Sequence, residues 1–162
     1  MRLGIATPRK RLAVSPARHV ACSATVLAIL ATLSPLRADL EQAKAEPNLE
    51  KRAMLALDNA ADALTQAREA YNKGDNQQVA ALATEIKESV DLADTSLRDT
   101  GKNPRKRPKW FKRAEGSTRE LLRRLDGFQQ AMSIDDRPML DAVKAKVQQV
   151  HDSLLLGVLE GK

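Results

Sequence analysis

Few side chains in this sequence of 162 residues could carry covalent or metal chemistry. The only histidines are His19 and His151, and the only cysteine is Cys22. Beyond the N-terminal segment this excludes a disulfide framework, a cysteine zinc site and a cysteine nucleophile. Ser117 and Ser133 lack the glycine-flanked elbow or base context that an activated hydroxyl needs. The glycines are scattered, so no loop cradles a phosphate. Carboxylates remain. Asp58 and Asp62 share one helical face, and Asp91 and Asp94 another, but a di-metal bundle would also want Glu-x-x-His pairs, and the chain has none. These acids read as solvated faces with i,i+4 partners, and Asp135 and Asp136 read as helix caps. No catalytic residue, metal site or cofactor is expected, and the chain is read as non-enzymatic.

The strongest chemical signal is charge. The formal charge of +6 comes from the first 38 residues, where Arg2, Arg9, Lys10, Arg11, Arg18 and Arg37 meet no acid. The remainder is neutral but uneven: residues 39–100 carry net −6, residues 101–125 net +8, and residues 126–162 net −2. The basic block runs Lys102, Arg105, Lys106, Arg107, Lys109, Lys112 and Arg113, then Arg119, Arg123 and Arg124, with Trp110 and Phe111 inside it. Cations interleaved with aromatics suit an anionic surface, because the cations meet phosphates and an indole settles at a polar–apolar boundary. Lys102, Arg105, Lys106, Arg107, Lys109, Trp110, Lys112 and Arg113 are therefore the candidate site for an anionic envelope component or an acidic protein partner. The competing reading is internal compensation, with the loop against acidic neighbours and Trp110 or Phe111 closing one end of the fold.

Residues 1–38 read as an address. A basic stretch leads into the apolar run Val20–Leu33, and small residues follow up to Ala38. That order is the secretory signal pattern, and the run is shorter than the roughly 20 residues of a membrane span. Cleavage near Ala38 gives a periplasmic or secreted protein, and an uncleaved inner-membrane anchor is the alternative. Export makes nucleic acid an unsuitable partner.

The elements that must position the basic block are helices. Strand signals are sparse, and apolar spacing is helical throughout. Residues 39–48 form a polar lead ended by Pro47. Asn48 is an N-cap, and Leu49, Ala53, Leu57, Ala60, Leu64, Ala67 and Tyr71 make one stripe. Gly74 ends that helix and Asp75 caps the next, whose stripe is Val79, Leu82, Ile86, Val90, Ala93 and Leu97. Residues 101–108 are a linker in which two prolines disfavour helix. The third stripe is Trp110, Ala114, Leu121, Leu122, Leu125, Phe128 and Met132; the fourth is Leu140, Val143, Val147, Val150, Leu154 and Val158. The spacing predicts helices over about 49–73, 76–100, 109–132 and 136–160, each roughly 37 Å long. Equal lengths and short loops predict an all-α, up-down-up-down four-helix bundle over 49–162.

Three resemblances accompany this reading. Ala70-Tyr71-Asn72-Lys73-Gly74-Asp75 resembles the end of the first helix of a tetratricopeptide unit, over one unit and without a second copy about 34 residues on. The whole chain resembles the small secreted helical proteins of bacteria, a likeness that carries no function. A small exported four-helix bundle is also similar to the cytochrome b562 type. That resemblance implies a haem held between Met54 on the first helix and His151 on the last; C-x-x-C-H is absent, so the haem would be non-covalent. The expected function is an exported interaction module working through its basic–aromatic loop; the alternatives are a haem carrier and a self-associating structural protein.

Overall fold

The structure is a computed structural model and describes residues 35–160. The described chain is all-helical, with no strand among these residues. The helices are α1 (Pro35–Ala45), α2 (Leu49–Asn72), α3 (Asn76–Asp99), α4 (Lys109–Ala131) and α5 (Asp141–Glu160), with a 3-10 turn at Arg137–Leu140 leading into α5. The signal segment expected over 1–38 lies outside the described residues, apart from the last four positions, which begin α1.

The ends of α2 and α3 follow from their caps. Asn48 Oδ1 accepts from the Lys51 amide at 3.0 Å, and Asp75 Oδ1 from the Gln78 amide at 2.9 Å. Each satisfies an amide of the first turn that has no carbonyl partner within the helix. Gly74 turns the chain between α2 and α3 at φ 76°, a left-handed conformation that a Cβ would strain.

Apolar burial drives the packing. Leu57, Ala60 and Leu64 of α2 meet Val79, Leu82, Ile86, Val90 and Leu97 of α3 in one continuous core with Leu121, Leu125 and Phe128 of α4 and Val143, Val147 and Val150 of α5. The α2 side is built on alanine: Ala53, Ala56, Ala60, Ala63 and Ala67 are completely buried. Such small side chains let backbones approach, and the α2–α3 pair is the most extensive contact in the fold. Its register is fixed by a buried polar pair, Asn59 Nδ2 donating to Ser89 Oγ at 2.9 Å.

Neighbour relations depart from the order expected of short loops. α4 packs on α2 and α5, α5 packs on α3 and α4, and the backbones of α2 and α5 do not approach each other closely. Between α3 and α4 the contact is slight. Asp91 of α3 pairs with Lys146 of α5 at 2.6 Å, and Arg124 of α4 reaches Thr65 of α2 at 2.6 Å. α2 and α3 thus pack chiefly on each other, as do α4 and α5, and the 100–108 connection carries the chain from the end of α3 to the start of α4.

Three local expectations are corrected. Residues 39–48 are not a simple polar lead: most belong to α1, whose Leu40 and Ala43 are buried against the core. The fourth long helix starts at Asp141, five residues later than expected, because Pro138 has no amide to donate and a tight turn precedes the helix. Asp136 caps no helix with its side chain. Its Oδ2 instead accepts from Tyr71 Oη at 3.0 Å and Ser133 Oγ at 2.7 Å, tying the α4–α5 turn to the end of α2.

Gly116 stands mid-way along α4, and a Cβ there would meet nothing within 4 Å. No close crossing requires the glycine. Gly116→Ala is therefore expected to stabilise the protein by about 1 kcal/mol through helix propensity alone, read as a higher urea midpoint with an unchanged denaturant slope.

Candidate functional site

The basic block divides into three parts. At its start, Lys102 Nζ pairs with Glu50 Oε1 in the first turn of α2. At its end, Arg119 lies 3.8 Å from Glu115, Arg123 2.5 Å from Glu120, and Arg124 donates to the Ala61 carbonyl at 3.1 Å as well as to Thr65. Between them, Arg105, Lys106, Arg107, Lys109, Lys112 and Arg113 are all exposed, and none forms an ion pair among the described residues. Compensation thus accounts for both ends of the block and reaches Arg113, which shares a groove with Asp58 of α2 and opposes the rise that burial imposes on that carboxyl; the other five central cations have no acid within ion-pair distance among the described residues.

That centre is held in shape by its own backbone chemistry. Thr100 Oγ1 donates to the Leu97 carbonyl at 2.7 Å and accepts from the Lys102 amide at 3.2 Å. Gly101 turns at φ 62°. Asn103 Oδ1 then accepts from the amides of Arg105 and Lys106 at 3.0 and 3.1 Å, the side-chain-made turn for which asparagine is suited. Pro108 precedes α4, where a missing amide costs nothing. The loop therefore projects its cations from an ordered turn.

Trp110 is half-buried, and Lys109 Nζ sits 5.3 Å from its ring centroid. It walls an open groove of about 420 Å³ with Glu50, Lys102, Arg107, Pro108 and Lys112. Of the adjacent aromatics at the start of α4, Phe111 is buried and Trp110 is not. The true inward row is Phe111, Ala114, Thr118, Leu121, Leu125 and Phe128, with Leu122 at its flank. The expected stripe was one residue out of phase at its start and passed over Thr118 because it is polar.

A second groove, about 330 Å³, abuts the loop on its other side. Pro104 and Phe111 face Leu154 and Gly157 of α5 across it, beside Asp94 and Arg98 of α3. Burial raises the Asp94 carboxyl above the ordinary carboxylate value; Arg98, 2.9 Å away, and Lys146 oppose this, and Asp91 adds to it. A carboxylate with a raised folded pKa binds its proton more tightly folded than unfolded. Its contribution is present below the unfolded value and is lost as pH rises through the folded one. Asp94→Asn is accordingly expected to gain stability relative to the parent as pH is raised from about 3 to 7, measured as the difference between their urea midpoints at each pH.

Of the pair implied by the cytochrome-like resemblance, Met54 is buried in α2 and His151 lies on α5, and the backbones of these two helices do not approach each other closely. His151 Nδ1 is 3.2 Å from Thr118 Oγ1, whose proton goes to the Glu115 carbonyl at 2.9 Å. With Glu115 Oε1 3.8 Å from the same nitrogen, the ring joins α5 to α4. Among the described residues no cluster of histidine, cysteine and acid could hold a metal ion, and no helix is long and apolar enough to cross a membrane. Asp91 and Asp94 are engaged by Lys146 and Arg98. Comparison of the chain with protein-family models, with curated proteins and with solved structures gave no match in any of the three.

Proposed function

We propose that this chain is an exported, non-enzymatic interaction module that captures an anionic surface through Arg105, Lys106, Arg107, Lys109, Trp110, Lys112 and Arg113. Its scaffold is a four-helix bundle in which α2, α3, α4 and α5 alternate up and down, with the third long helix beside the first. The pairing of Arg124 with Thr65, each about fifteen residues into its helix, supports that order, as do Asp91 with Lys146 and Arg98 with Ser153, which advance along α3 and α5 in the same direction.

The observation that carries the functional reading is the run of six exposed cations, three in the ordered 100–108 connection and three in the first turns of α4, none in an ion pair among the described residues, while the cations before and after them are partnered. Six like charges held within nine residues repel one another, and a bound anion relieves that repulsion. The half-buried Trp110 adds an amphipathic edge at the same place.

Trp110 is the only tryptophan in the chain, so its fluorescence reports on the loop directly. Vesicles containing phosphatidylglycerol are expected to shift its emission to shorter wavelength, and pure phosphatidylcholine vesicles to leave it unchanged. An unchanged spectrum with both, in 50 mM salt, would remove the loop from any surface contact.

A further inference from the structure

Scattered exposed leucines are ordinary on a protein surface, but α5 ends with three of them close together. Leu155, Leu156 and Leu159 are 38%, 52% and 64% exposed. At 100° per residue they fall on the side of the helix away from the buried Leu154 and Gly157. Their place in the fold is what gives them meaning. Ser153, Leu154 and Gly157 wall the groove that Pro104 and Phe111 face, and Arg98 reaches Ser153 Oγ at 3.4 Å. The leucines therefore stand at the same end of the fold as the six exposed cations, on the far side of α5 from the groove that the loop faces, with Asp152 and Glu160 exposed beside them.

These two features together select the occupant. A second copy related by a two-fold axis through the leucines and the cationic end would bring like charges together. A soluble polyanion would satisfy the cations and leave the leucines in water. A bilayer of anionic phospholipid offers both partners, headgroup phosphates for the cations and, just beneath them, an apolar layer for leucine side chains. We infer that Leu155, Leu156 and Leu159 enter the acyl boundary of an anionic phospholipid bilayer while the loop cations hold its headgroups. The inference rests on the reading of the loop as an anionic-surface site and names phospholipid as that surface.

A probe at the leucines separates the two claims. In the full chain, Cys22→Ser removes the native thiol, and Leu156→Cys takes an environment-sensitive fluorophore. The label is expected to shift to shorter wavelength on vesicles of mixed phosphatidylglycerol and phosphatidylcholine and to be quenched by nitroxides on the acyl chains. Leu155→Asn with Leu159→Asn should weaken vesicle binding about tenfold without loss of helical circular dichroism. Vesicle binding that depends on the loop cations, with an unshifted and unquenched label, would overturn the insertion while leaving the loop reading intact. Vesicle binding that does not change when the six cations are neutralised would overturn the loop reading itself. An equal shift on adding polyglutamate without lipid would reassign the face to an acidic protein.

Discussion

Replacing Arg105, Lys106, Arg107, Lys109, Lys112 and Arg113 together by glutamine is expected to abolish the loop's share of binding to anionic vesicles while the fold stays intact. Each basic side chain near an anionic bilayer contributes about 1 kcal/mol. Six of them correspond to as much as about 10⁴-fold in affinity at 1.4 kcal/mol per decade. The measured loss will stop at the floor set by residues 1–38, whose own six cations both proteins share. Stability should move little, since these side chains are exposed and make no ion pair among the described residues. Exposed substitutions of this kind are usually worth within about 0.5 kcal/mol each, and here the relief of mutual repulsion acts in the stabilising direction. Lys102→Gln is the informative contrast: it breaks a pair with Glu50, which ties the loop to α2, and should loosen the loop rather than discharge it.

The largest expected effect on stability comes from Phe128→Ala. Phe128 is 1% exposed and stands where α4 meets α2. Its ring meets Tyr71 edge to face at a centroid distance of 5.8 Å, and the Arg68 guanidinium lies 5.5 Å from its centre. Truncation removes the buried ring, leaves a cavity among rigid helices and strips Tyr71 of its packing partner. The cost should be about 3–5 kcal/mol, a large fraction of the stability of a domain this size. It is to be read as a fall in urea midpoint with little change in slope. The Tyr71 hydroxyl, which donates to Asp136 and accepts from the Ser133 amide at 2.8 Å, should lose its geometry at the same time. Phe128→Leu should recover more than half of the loss, since it refills most of the volume. A cost below about 1 kcal/mol for Phe128→Ala would mean that this ring is not the junction described.

The helices were legible because three kinds of signal agreed. Asn48 and Asp75 mark two starts, Gly74 and Gly101 stand where left-handed turns are needed, and the α2, α3 and α5 stripes repeat every three or four residues. Legibility failed where a signal was short or ambiguous. Leu40 and Ala43 are only two apolar positions, too few to announce α1. Trp110 and Phe111 are adjacent aromatics, and periodicity alone could not decide which one faces inward. Thr118 interrupts its stripe chemically but not geometrically, because its hydroxyl is satisfied by Glu115 and His151. Loop length could not give the neighbour order, since the connection between α3 and α4 reaches across to α2 through Lys102 and Glu50. The basic block was plain from composition. Its division into partnered ends and an unpaired centre was not, because the partners Glu50, Ala61 and Thr65 lie more than fifty residues away in sequence.

The most direct measurement is co-sedimentation of the full chain with phosphatidylglycerol-containing and pure phosphatidylcholine vesicles, at about 0.1 M and 1 M salt, beside the six-glutamine variant. The screening length falls from about 10 Å to about 3 Å over that range, and residues 1–38 are common to both proteins, so the difference between them isolates the loop. The expected result is an excess of parent over variant in the pellet with anionic vesicles at low salt, and no excess at high salt or with neutral vesicles. Equal pellets of parent and variant with anionic vesicles at low salt, at a lipid concentration that leaves part of the variant in the supernatant, would contradict the account.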